Sequence, residues 1–464
     1  MATNALNGHL VLVGFMGAGK TTVGQEVAQR LGRPFVDLDA EIERRTGKSV
    51  VELFEDAESE FRLREEEVAS DVLGRRQPAV IALGGGAVLS QRTRSVLFSE
   101  FTVLLEVDGE TAWARVSGSD RPLAQVRERF DQLFAERAPV YDEVANARAR
   151  DADDVVLAAA GVHVELGALQ RLGAFVEPPG ALVTEPVVAG IHGADTQLAF
   201  TFAETHELPS GEVAKQLHEI ERLWRALRIG RDGRIVALGG GSLTDAAGFA
   251  AATYLRGVDW IPVPTTLVGQ VDAAIGGKTA IDLPEGKNLV GVFHWPARTV
   301  IDPALLETLP ANERLNGMAE VVKTGLLANE SLWELADADL VRRCAAFKSA
   351  LCLQDPHDRG PRHALNLGHT FAHALEAAAG YELPHGRAVA LGLLAALRLS
   401  GRPTDEVEEV LRPRPIPVDA ELAWQTLLRD KKGPMKLILL GDEGAFETTV
   451  PPTEVRRALD ELIA

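Results

Sequence analysis

The chain has 464 residues, of which 46% are hydrophobic and 25% are charged, a composition that is typical of a globular protein and excludes a disordered or fibrous chain. This length is enough for about three domains of ~150 residues each. The net charge of −19 argues against nonspecific nucleic-acid binding, so anionic substrates would have to be held by local cationic pockets.

Two features of the sequence bear on the cellular compartment. The two cysteines, Cys344 and Cys352, are too few for a disulfide framework and favour a reducing compartment. The N-terminal residues lack the pattern of a secretory signal, and no apolar run is long enough for a membrane span. We therefore expect a cytoplasmic protein that acts neither on membranes nor on nucleic acids.

The first third of the chain alternates between strand and helix patterns. HLVLVGF, a glycine-rich turn and TTVGQEVAQRLG together predict a strand, a loop and a helix. PAVIALGGGAV and FTVLLEVD predict further buried strands, and an acidic helix precedes them at EFRLREEEVASDVL. This order predicts an α/β domain with a parallel sheet over residues 1–160.

Two further lobes are predicted after this domain. GALVTEP and GRIVALGGG predict strands, and TDAAGFAAATYLRG predicts the helix that follows the second of them. Helical patterns dominate from about Thr308 to the end of the chain. We therefore expect an α/β lobe over residues 161–308 and a mostly helical lobe over residues 309–464.

A phosphate-binding loop is predicted near the N-terminus. The segment from Gly14 to Thr21 matches G-x-x-x-x-G-K-[ST] and lies between a predicted strand and a predicted helix. Its backbone N–H groups would converge on phosphate oxygens at the start of the helix. Lys20 would add a positive charge, and the Thr21 hydroxyl could hold Mg²⁺.

Several charged residues could complete this site. Asp37 and Asp39 follow a predicted strand, which would place both carboxylates on one face at the carboxyl end of the sheet. Arg62, Arg121 and Arg137 lie in three later segments. Each is weak evidence alone, because a lone arginine is most often a solvated surface charge.

Residues 10–145 resemble shikimate kinase in GFMGAGKTT, DLDAEIE, LGGGAV, RPL and RAPVY. The resemblance implies a P-loop kinase fold, with helices on both faces of a parallel sheet, and phosphorylation of shikimate by ATP with Mg²⁺. The implied ATP-binding residues are Gly17, Ala18, Gly19, Lys20, Thr21, Thr22 and Arg121. The implied shikimate-binding residues are Asp39, Arg62, Gly85 and Arg137. Thr21 and Asp37 would hold Mg²⁺, and Asp39, Lys20 and Arg121 would be catalytic.

Two patterns in the remaining two thirds point to cofactors without deciding between alternatives. GRIVALGGGSLTD predicts a strand, a glycine turn and a helix that could receive a pyrophosphate, but it lacks the G-x-G-x-x-G fingerprint and fits a structural turn equally well. His369 and His373 are spaced one helical turn apart, so spacing alone makes both of them candidate metal ligands.

From about residue 162 the chain resembles 3-dehydroquinate synthase in LPSGEVAKQL, VALGGGSLTDAAGFAAATYLRG, PTTLVGQVDAAIGGKTAID, RHALNLGHTFAHALE and LPHG. The resemblance implies an α/β NAD-binding lobe and a helical metal-binding lobe. It also implies that Glu320, His369 and His385 hold Zn²⁺ or Co²⁺, with His373 beside the substrate. The implied NAD-binding residues are Glu212, Lys215, Gly240, Gly241, Ser242, Asp245, Thr265, Thr266, Lys278, Lys287 and Thr308.

The resemblance also implies the substrate and its contacts. The expected reaction is the NAD- and metal-dependent cyclisation of 3-deoxy-D-arabino-heptulosonate 7-phosphate to 3-dehydroquinate, with release of phosphate. The implied substrate-binding residues are Arg256, Asp272, Lys278, Asn288, Lys323, Lys348, Arg362, Asn366, His373 and Lys432. Of these, Asp272, Lys278, Lys323, Lys348 and His373 would be catalytic. Arg256 would reach in from a second copy of the chain in a homodimer.

The synthase portion departs from the family pattern at several places. A helix after Glu185 is expected to be trimmed, Glu185 itself replaces an aspartate, and Arg387 replaces a glutamate and is expected to face outward. The two resemblances together give the main hypothesis, a fusion of two enzymes of the shikimate pathway, which leads to chorismate and the aromatic amino acids. Two alternatives stay open for the C-terminal part: a related sugar-phosphate cyclase, or a catalytically dead dimerisation scaffold.

Overall fold

The computed structural model of the chain describes residues 5–118, 125–430 and 435–464. It divides into two compact units, Met1–Gly161 and Val162–Ala464. Among the described residues, none of the helices is both long and apolar enough to cross a membrane.

The N-terminal unit is built on a five-stranded parallel sheet with the strand order β2-β3-β1-β4-β5. Its strands are β1 (Leu10–Val13), β2 (Phe35–Asp37), β3 (Val80–Ala82), β4 (Phe101–Leu105) and β5 (Ala147–Ala149). Its helices are α1 (Lys20–Arg30), α2 (Leu38–Thr46), α3 (Val50–Asp56), α4 (Glu58–Leu73), α5 (Gln91–Leu97), α6 (Gly109–Val116), α7 (Arg127–Val144) and α8 (Ala152–Ala160).

The central strands of this sheet are apolar and completely buried, as expected for a parallel sheet that is covered on both faces. Phe15, which directly follows the β1 strand region, packs edge-to-face on Phe130 of α7 with ring centroids 5.1 Å apart. The phosphate-binding loop therefore begins at the carboxyl end of the central strand, on a rigid base.

The first part of the C-terminal unit contains a four-stranded parallel sheet with the order β10-β9-β7-β8. The strands of this part are β6 (Val162–Val164), β7 (Gly180–Thr184), β8 (Glu204–Glu207), β9 (Arg234–Gly239), β10 (Asp259–Pro264), β11 (Lys278–Leu283), β12 (Gly286–Phe293) and β13 (Thr299–Ile301). Its helices are α9 (Pro186–Ala199), α10 (Leu217–Ala226) and α11 (Gly241–Thr253).

The rest of the C-terminal unit is mostly helical. Its elements are α12 (Ala311–Ala328), α13 (Asp337–Gln354), α14 (His369–Ala378), α15 (His385–Leu399), α16 (Asp405–Leu411), α17 (Ala420–Asp430), β14 (Lys436–Gly441), β15 (Gly444–Thr449) and α18 (Pro452–Asp460). Helices α14 and α15 cross so closely that a Cβ atom at Gly392 would lie 2.1 Å from the carbonyl oxygen of Gly368. This backbone approach brings the residues at the starts of both helices together.

The predicted α/β class with parallel sheets is confirmed. The antiparallel hairpins β11–β12 and β14–β15 were not predicted, because their short strands carry little alternation of apolar and polar residues. The helix after Glu185, which was expected to be trimmed relative to the family, is present as the 14-residue α9, and the strand β8 follows it.

Candidate active sites

The phosphate-binding loop of the N-terminal unit depends on glycines with positive φ. Gly17 and Gly19 have φ values of 82° and 90°, and a Cβ atom at Gly17 would lie 2.6 Å from the carbonyl oxygen of Ala112. Helix α1 begins at Lys20 with no side-chain cap from the described residues, so its first N–H groups point into the loop. The Lys20 ammonium donates to the carbonyl oxygens of Gly14 at 2.8 Å and Phe15 at 3.1 Å.

Asp37 connects this loop to the next element. The Thr21 hydroxyl donates to Asp37 Oδ2 at 2.6 Å, while Asp37 Oδ1 accepts from the N–H of Asp39 at 3.0 Å and caps α2. Asp37 ends β2 and Asp39 stands in the first turn of α2, and both residues line the same cleft beyond the carboxyl end of the strand. The Thr21 and Asp37 oxygens are adjacent and are ligand atoms that suit Mg²⁺.

The glycine turn after β3 lies between two arginines. The carbonyl oxygen of Gly85 accepts hydrogen bonds from Arg137 Nη1 at 3.2 Å and from the Tyr141 hydroxyl at 2.6 Å. On the other side, a Cβ atom at Gly86 would lie 2.0 Å from Arg62 Nη1. The structure thus brings the predicted residues Arg62, Gly85 and Arg137 to one place.

Two buried residues of this site were not identified from the sequence. Glu65 binds Arg62 Nη1 at 2.6 Å, and burial raises the pKa of its carboxyl although Arg62 opposes that rise. Tyr141 bonds Gly85, and burial raises the pKa of its phenol to about 12. The helical spacing of Arg62 and Glu65 could have suggested the first pair, but no local pattern links Tyr141 to Gly85.

The phosphate-binding loop borders a cleft of about 280 Å³. The cleft is lined by Gly17, Gly19, Lys20, Thr21, Thr22, Asp37, Asp39, Ala82, Leu83, Gly85, Arg115 and Val116. Arg115 was also missed from the sequence, and its guanidinium donates to the carbonyl oxygen of Gly17 at 3.0 Å. Ala18 is buried beneath the loop, and Arg121 lies outside the described residues. The phosphate loop and two of the predicted acceptor residues, Asp39 and Gly85, therefore face the same cavity.

The glycine turn at Gly240 in the C-terminal unit has the same order of elements as the phosphate-binding loop: a strand, a glycine turn and a helix. Gly240 precedes α11, which has no side-chain cap from the residues that the structure describes. The Gly240 N–H donates to Glu185 at 3.4 Å, and a Cβ atom at Gly240 would lie 3.2 Å from Thr266 Cγ2. The uncapped N–H groups at the start of α11, from Gly241 onward, fit a pyrophosphate.

Polar side chains surround this turn in two groups. The Ser242 hydroxyl bonds Glu212, which also pairs with Lys287 at 3.4 Å. Lys215, 3% exposed, pairs with Asp245 at 3.0 Å and contacts Asn288. Burial alone would lower the pKa of the Lys215 ammonium, but Asp245 and Glu212 raise it above its usual value. Its charge is thus kept in place beside the turn.

The other residues predicted for NAD are spread around the carboxyl ends of the strands. Buried Thr265 donates its N–H to the carbonyl oxygen of Gly239 at 2.9 Å. Thr308 lies 3.0 Å from His192 Nε2 and donates to the carbonyl oxygen of Leu305 at 3.0 Å. Asn288, which the resemblance implied for the substrate, contacts Lys215 and so borders the nucleotide turn in this chain.

A network of lysines and one aspartate leads from this region into the helical lobe. Lys348 on α13 donates to Asp272 Oδ1 at 2.7 Å, and Lys323 on α12 lies 3.9 Å from the same oxygen. Burial alone would raise the pKa of Asp272, but the two ammonium groups lower it. Lys323 also contacts Glu320, which lies one helical turn before it.

Glu320, His369 and His385 form a compact group of three donors. One ligand atom from each of them lies within 4.8 Å of the other two. Glu320 Oε1 is 3.4 Å from His369 Nε2 and 3.1 Å from His385 Nε2. His373 is not part of this group, since its ring is one turn further along α14, with its centroid 5.7 Å from that of His369.

The remaining nitrogens of the two histidines face acceptors. His369 Nδ1 lies 3.2 Å from the carbonyl oxygen of Leu367, and His385 Nδ1 lies 3.2 Å from Glu376 Oε1. Acceptors at both Nδ1 atoms favour a proton there, so Nε2, which faces Glu320 in each ring, is the nitrogen available to a cation. Burial alone would lower the pKa of His385, but its contacts with Glu320 and Glu376 raise it to about 10. One oxygen and two nitrogen donors that attract positive charge fit a divalent cation such as Zn²⁺.

The remaining residues predicted for the substrate are spread over several elements of the C-terminal unit. Exposed Lys278 contacts Asp358, and buried Arg362 donates from Nη2 to the carbonyl oxygen of Gly276 at 3.0 Å. Asn366 directly precedes the α14 region at the end of a short 3₁₀ helix. Arg256 and Arg387 are exposed in the chain itself, the latter as expected, and Lys432 lies outside the described residues.

Comparison with known proteins assigns both units. Family models match as Shikimate kinase over residues 16–162, 3-dehydroquinate synthase N-terminal over residues 205–316 and 3-dehydroquinate synthase C-terminal over residues 317–433. A bifunctional shikimate kinase/3-dehydroquinate synthase of Thermotoga maritima is 34% identical over 91% of this chain and 93% of its own length. The chain belongs to the bifunctional shikimate kinase/3-dehydroquinate synthase family.

Two further matches concern the synthase unit. A 3-dehydroquinate synthase of Bordetella pertussis is 36% identical over 64% of this chain and 95% of its own length. The structure of ValA, a 2-epi-5-epi-valiolone synthase of Streptomyces hygroscopicus with NAD⁺ and Zn²⁺ bound, matches with a TM-score of 0.57 and 26% identity, covering 65% of this chain and 96% of that chain. The predicted fusion of a kinase and a synthase is therefore confirmed.

We predict that Tyr141→Phe removes one phenol that titrates near pH 12 and changes stability at high pH. The pKa of Tyr141 is raised from 10 to about 12 in the folded chain, so its contribution is complete below pH 10 and is lost as the pH rises through 12. Loss of the bond to Gly85 should also cost about 0.5–1.5 kcal/mol of unfolding free energy at neutral pH. Phenolate absorbance and denaturant unfolding measure both effects, and an unchanged alkaline titration would contradict the prediction.

Proposed function

We propose that the kinase unit transfers the terminal phosphoryl group of ATP to a hydroxyl of shikimate. The observation that carries this proposal is the single cleft that has Lys20 and Thr21 on one side and Asp39 and Gly85 on the other. Phosphoryl transfer needs the two reactants in line and the developing charge neutralised, rather than a covalent intermediate. A cleft shared by the phosphate loop and the acceptor residues supplies that placement.

The roles of the residues follow from their chemistry. Backbone N–H groups from Gly17 to Thr22, including that of Ala18, bind the phosphates, and Lys20 neutralises their charge when it leaves the loop carbonyls. Arg62 and Arg137 bind the carboxylate of shikimate, for which planar guanidinium groups are well suited. Asp39 accepts the proton of the attacking hydroxyl. Mg²⁺ held by Thr21 and Asp37 would supply further positive charge at the phosphates, and Arg121 is expected to add to it.

Lys20→Ala should abolish phosphorylation and leave cyclisation unchanged. Loss of one charge placed at the transferring group costs about 10²–10³ in rate. Both activities of the same purified chain are measured by coupled assays. Lys48→Ala is the matched control, because its ammonium pairs with Asp56 on the surface at 2.8 Å, and it should retain both activities. Loss of both activities in Lys20→Ala would contradict independent sites.

For the synthase unit, we propose the cyclisation of 3-deoxy-D-arabino-heptulosonate 7-phosphate to 3-dehydroquinate with release of phosphate. The observation that carries this proposal is the contact between Glu320 of the three-donor group and Lys323 of the lysine network. A cation-binding group and an anion-binding network that adjoin can hold the hydroxyls and the phosphate of one substrate. The NAD⁺ and Zn²⁺ bound by ValA agree with this arrangement.

The chain's own residues would bind and orient the ligands. Lys278, Lys348 and Arg362 supply the positive charge that a phosphorylated carboxylic acid requires, against the net charge of the chain. Lys323 holds a proton next to Glu320, and the ionised Asp272 keeps Lys348 and Lys323 in place. His373, exposed on α14, can exchange a proton with substrate. The turn at Gly240 and Gly241 receives the pyrophosphate of NAD⁺. NAD⁺ and a divalent cation, when bound, would supply reversible hydride transfer and acidification of substrate hydroxyls.

Other residues would complete the two binding surfaces. Glu212, Lys215, Ser242, Asp245, Thr265, Thr266, Lys287 and Thr308 would contact NAD⁺, and Arg256, Asn288, Asn366 and Lys432 would contact substrate. We propose that the protein acts in the cytoplasm. Cys344 and Cys352 are both free and buried, which agrees with a reducing compartment.

Removal of divalent cations should separate the two activities. Treatment with a strong chelator followed by dialysis should abolish cyclisation, and Mg²⁺ alone should restore only phosphorylation. Zn²⁺ or Co²⁺ with NAD⁺ should restore phosphate release from the heptulosonate phosphate. Failure of the untreated protein to release phosphate at saturating NAD⁺ and Zn²⁺ would instead favour the scaffold alternative.

We further propose a homodimer formed through the synthase unit. The strand β12 carries four apolar side chains that are each 39% to 58% exposed: Leu289, Val290, Val292 and Phe293. Together they form an apolar edge that a second copy would cover. Exposed Arg256 could then reach the substrate site of that copy. Val290→Lys should weaken association, which sedimentation at micromolar concentration measures, and a monomeric wild-type chain would contradict the proposal.

A further inference from the structure

We propose that Glu376 is the positioning residue that orients His385 for cation binding and thereby sets the affinity of the synthase unit for its divalent metal. The inference rests on the proposed metal role of Glu320, His369 and His385. It assigns a function to a buried carboxylate to which neither the sequence analysis nor the proposed mechanism gives a role.

The two ring nitrogens of His385 have different partners. Nε2 lies 3.1 Å from Glu320 Oε1, inside the three-donor group, and Nδ1 lies 3.2 Å from Glu376 Oε1. A carboxylate can only accept at this contact, so Glu376 holds a proton on Nδ1 and leaves Nε2 as the nitrogen whose lone pair a cation beside Glu320 would take. Glu376 therefore fixes the rotation of the ring and the site of its Nδ1 proton.

His385 needs this support more than His369 does. The side chain of His369 is 12% exposed, and its Nδ1 faces the backbone carbonyl of Leu367. A side-chain substitution cannot remove this acceptor. The side chain of His385 is 32% exposed and stands at the first position of α15. Packing therefore holds His385 less firmly, and the described partner of its Nδ1 is a side chain that substitution can remove.

The backbone around His385 is already fixed independently of Glu376. A Cβ atom at Gly386 would lie 2.0 Å from the carbonyl oxygen of Asn316, and the Gly386 N–H bonds the Asn316 side chain. Helix α15 therefore begins against α12, which also carries Glu320. What remains to be set is the rotation of the imidazole, and Glu376 is placed to set it.

The burial of Glu376 is also difficult to explain by packing alone. The residue is 4% exposed and follows Leu375, which is completely buried in the core of the helical lobe. A buried carboxylate is costly unless it is paired, so an apolar side chain would serve a purely structural position better, and the described partner of Glu376 is His385.

The test uses the full chain in wild-type form and as Glu376→Gln, Glu376→Leu and Glu382→Gln. Glutamine keeps an acceptor oxygen in a side chain of the same shape but without the charge, and leucine removes the acceptor. Exposed Glu382, three residues before α15, is the control. Metal-free protein competes with a chromophoric chelator for Zn²⁺, with no substrate present. Kinase activity of the same chain measures the concentration of active protein.

We expect Glu376→Leu to lose about 10- to 100-fold in Zn²⁺ affinity, Glu376→Gln to lose less and Glu382→Gln to match the wild type. The visible spectrum of Co²⁺-loaded protein should change in the same order, which a purely structural defect would not produce. If Glu376→Leu does not fold, the isosteric Glu376→Gln still decides the matter by its Zn²⁺ affinity and Co²⁺ spectrum.

The outcomes separate this inference from the function on which it rests. Equal Zn²⁺ affinity and an identical Co²⁺ spectrum in the wild type, Glu376→Gln and Glu376→Leu would overturn the role of Glu376 alone. A wild-type chain that binds no Zn²⁺ would overturn the proposed metal centre, and the role of Glu376 with it. An affinity loss of similar size in Glu382→Gln would also overturn the inference, because the effect would not depend on the contact with His385.

Discussion

Positive charge must be held in place inside a chain whose net charge is −19, and the binding of anionic ligands in both units depends on this constraint. An isolated buried ammonium or guanidinium group is costly, so the cations that would bind anionic ligands are placed beside acceptors. Lys215 pairs with Asp245, Lys348 with Asp272, and Arg62 with Glu65. The protein carboxylates keep these cationic side chains ionised and oriented. The phosphate or carboxylate group of a ligand then binds to a cation that is already in place.

Backbone groups provide the second source of positive potential. Both α1 and α11 begin after a glycine turn at the carboxyl end of a central parallel strand, and the described residues provide neither with a side-chain cap. The open N–H groups of a helix start bind phosphate without adding a formal charge to the fold. The same local device therefore serves ATP in the kinase unit and, as we propose, NAD⁺ in the synthase unit.

The three-donor group of the helical lobe is assembled differently, because its metal-binding side chains come from three helices. Close backbone contacts at Gly386 and Gly392 bring α12, α14 and α15 near enough for Glu320, His369 and His385 to meet. Each histidine is then oriented from behind, by the Leu367 carbonyl or by the Glu376 carboxylate. Such a site forms only if the three helices pack closely, because the packing brings the metal-binding atoms within reach of one another.

The sequence by itself determined the features that depend on neighbouring residues: the α/β class, the glycine turns, and the placement of Lys20 and Thr21 at a helix start. Tertiary structure decided the contacts between distant residues, such as Tyr141 with Gly85, Arg115 with Gly17 and Glu376 with His385. The spacing of His369 and His373 could not show which imidazole faces Glu320, because that depends on how α12 and α15 pack against α14. Local backbone preferences are encoded within a few residues, whereas side chains far apart in sequence meet only where helices and strands pack, and no short pattern records that packing.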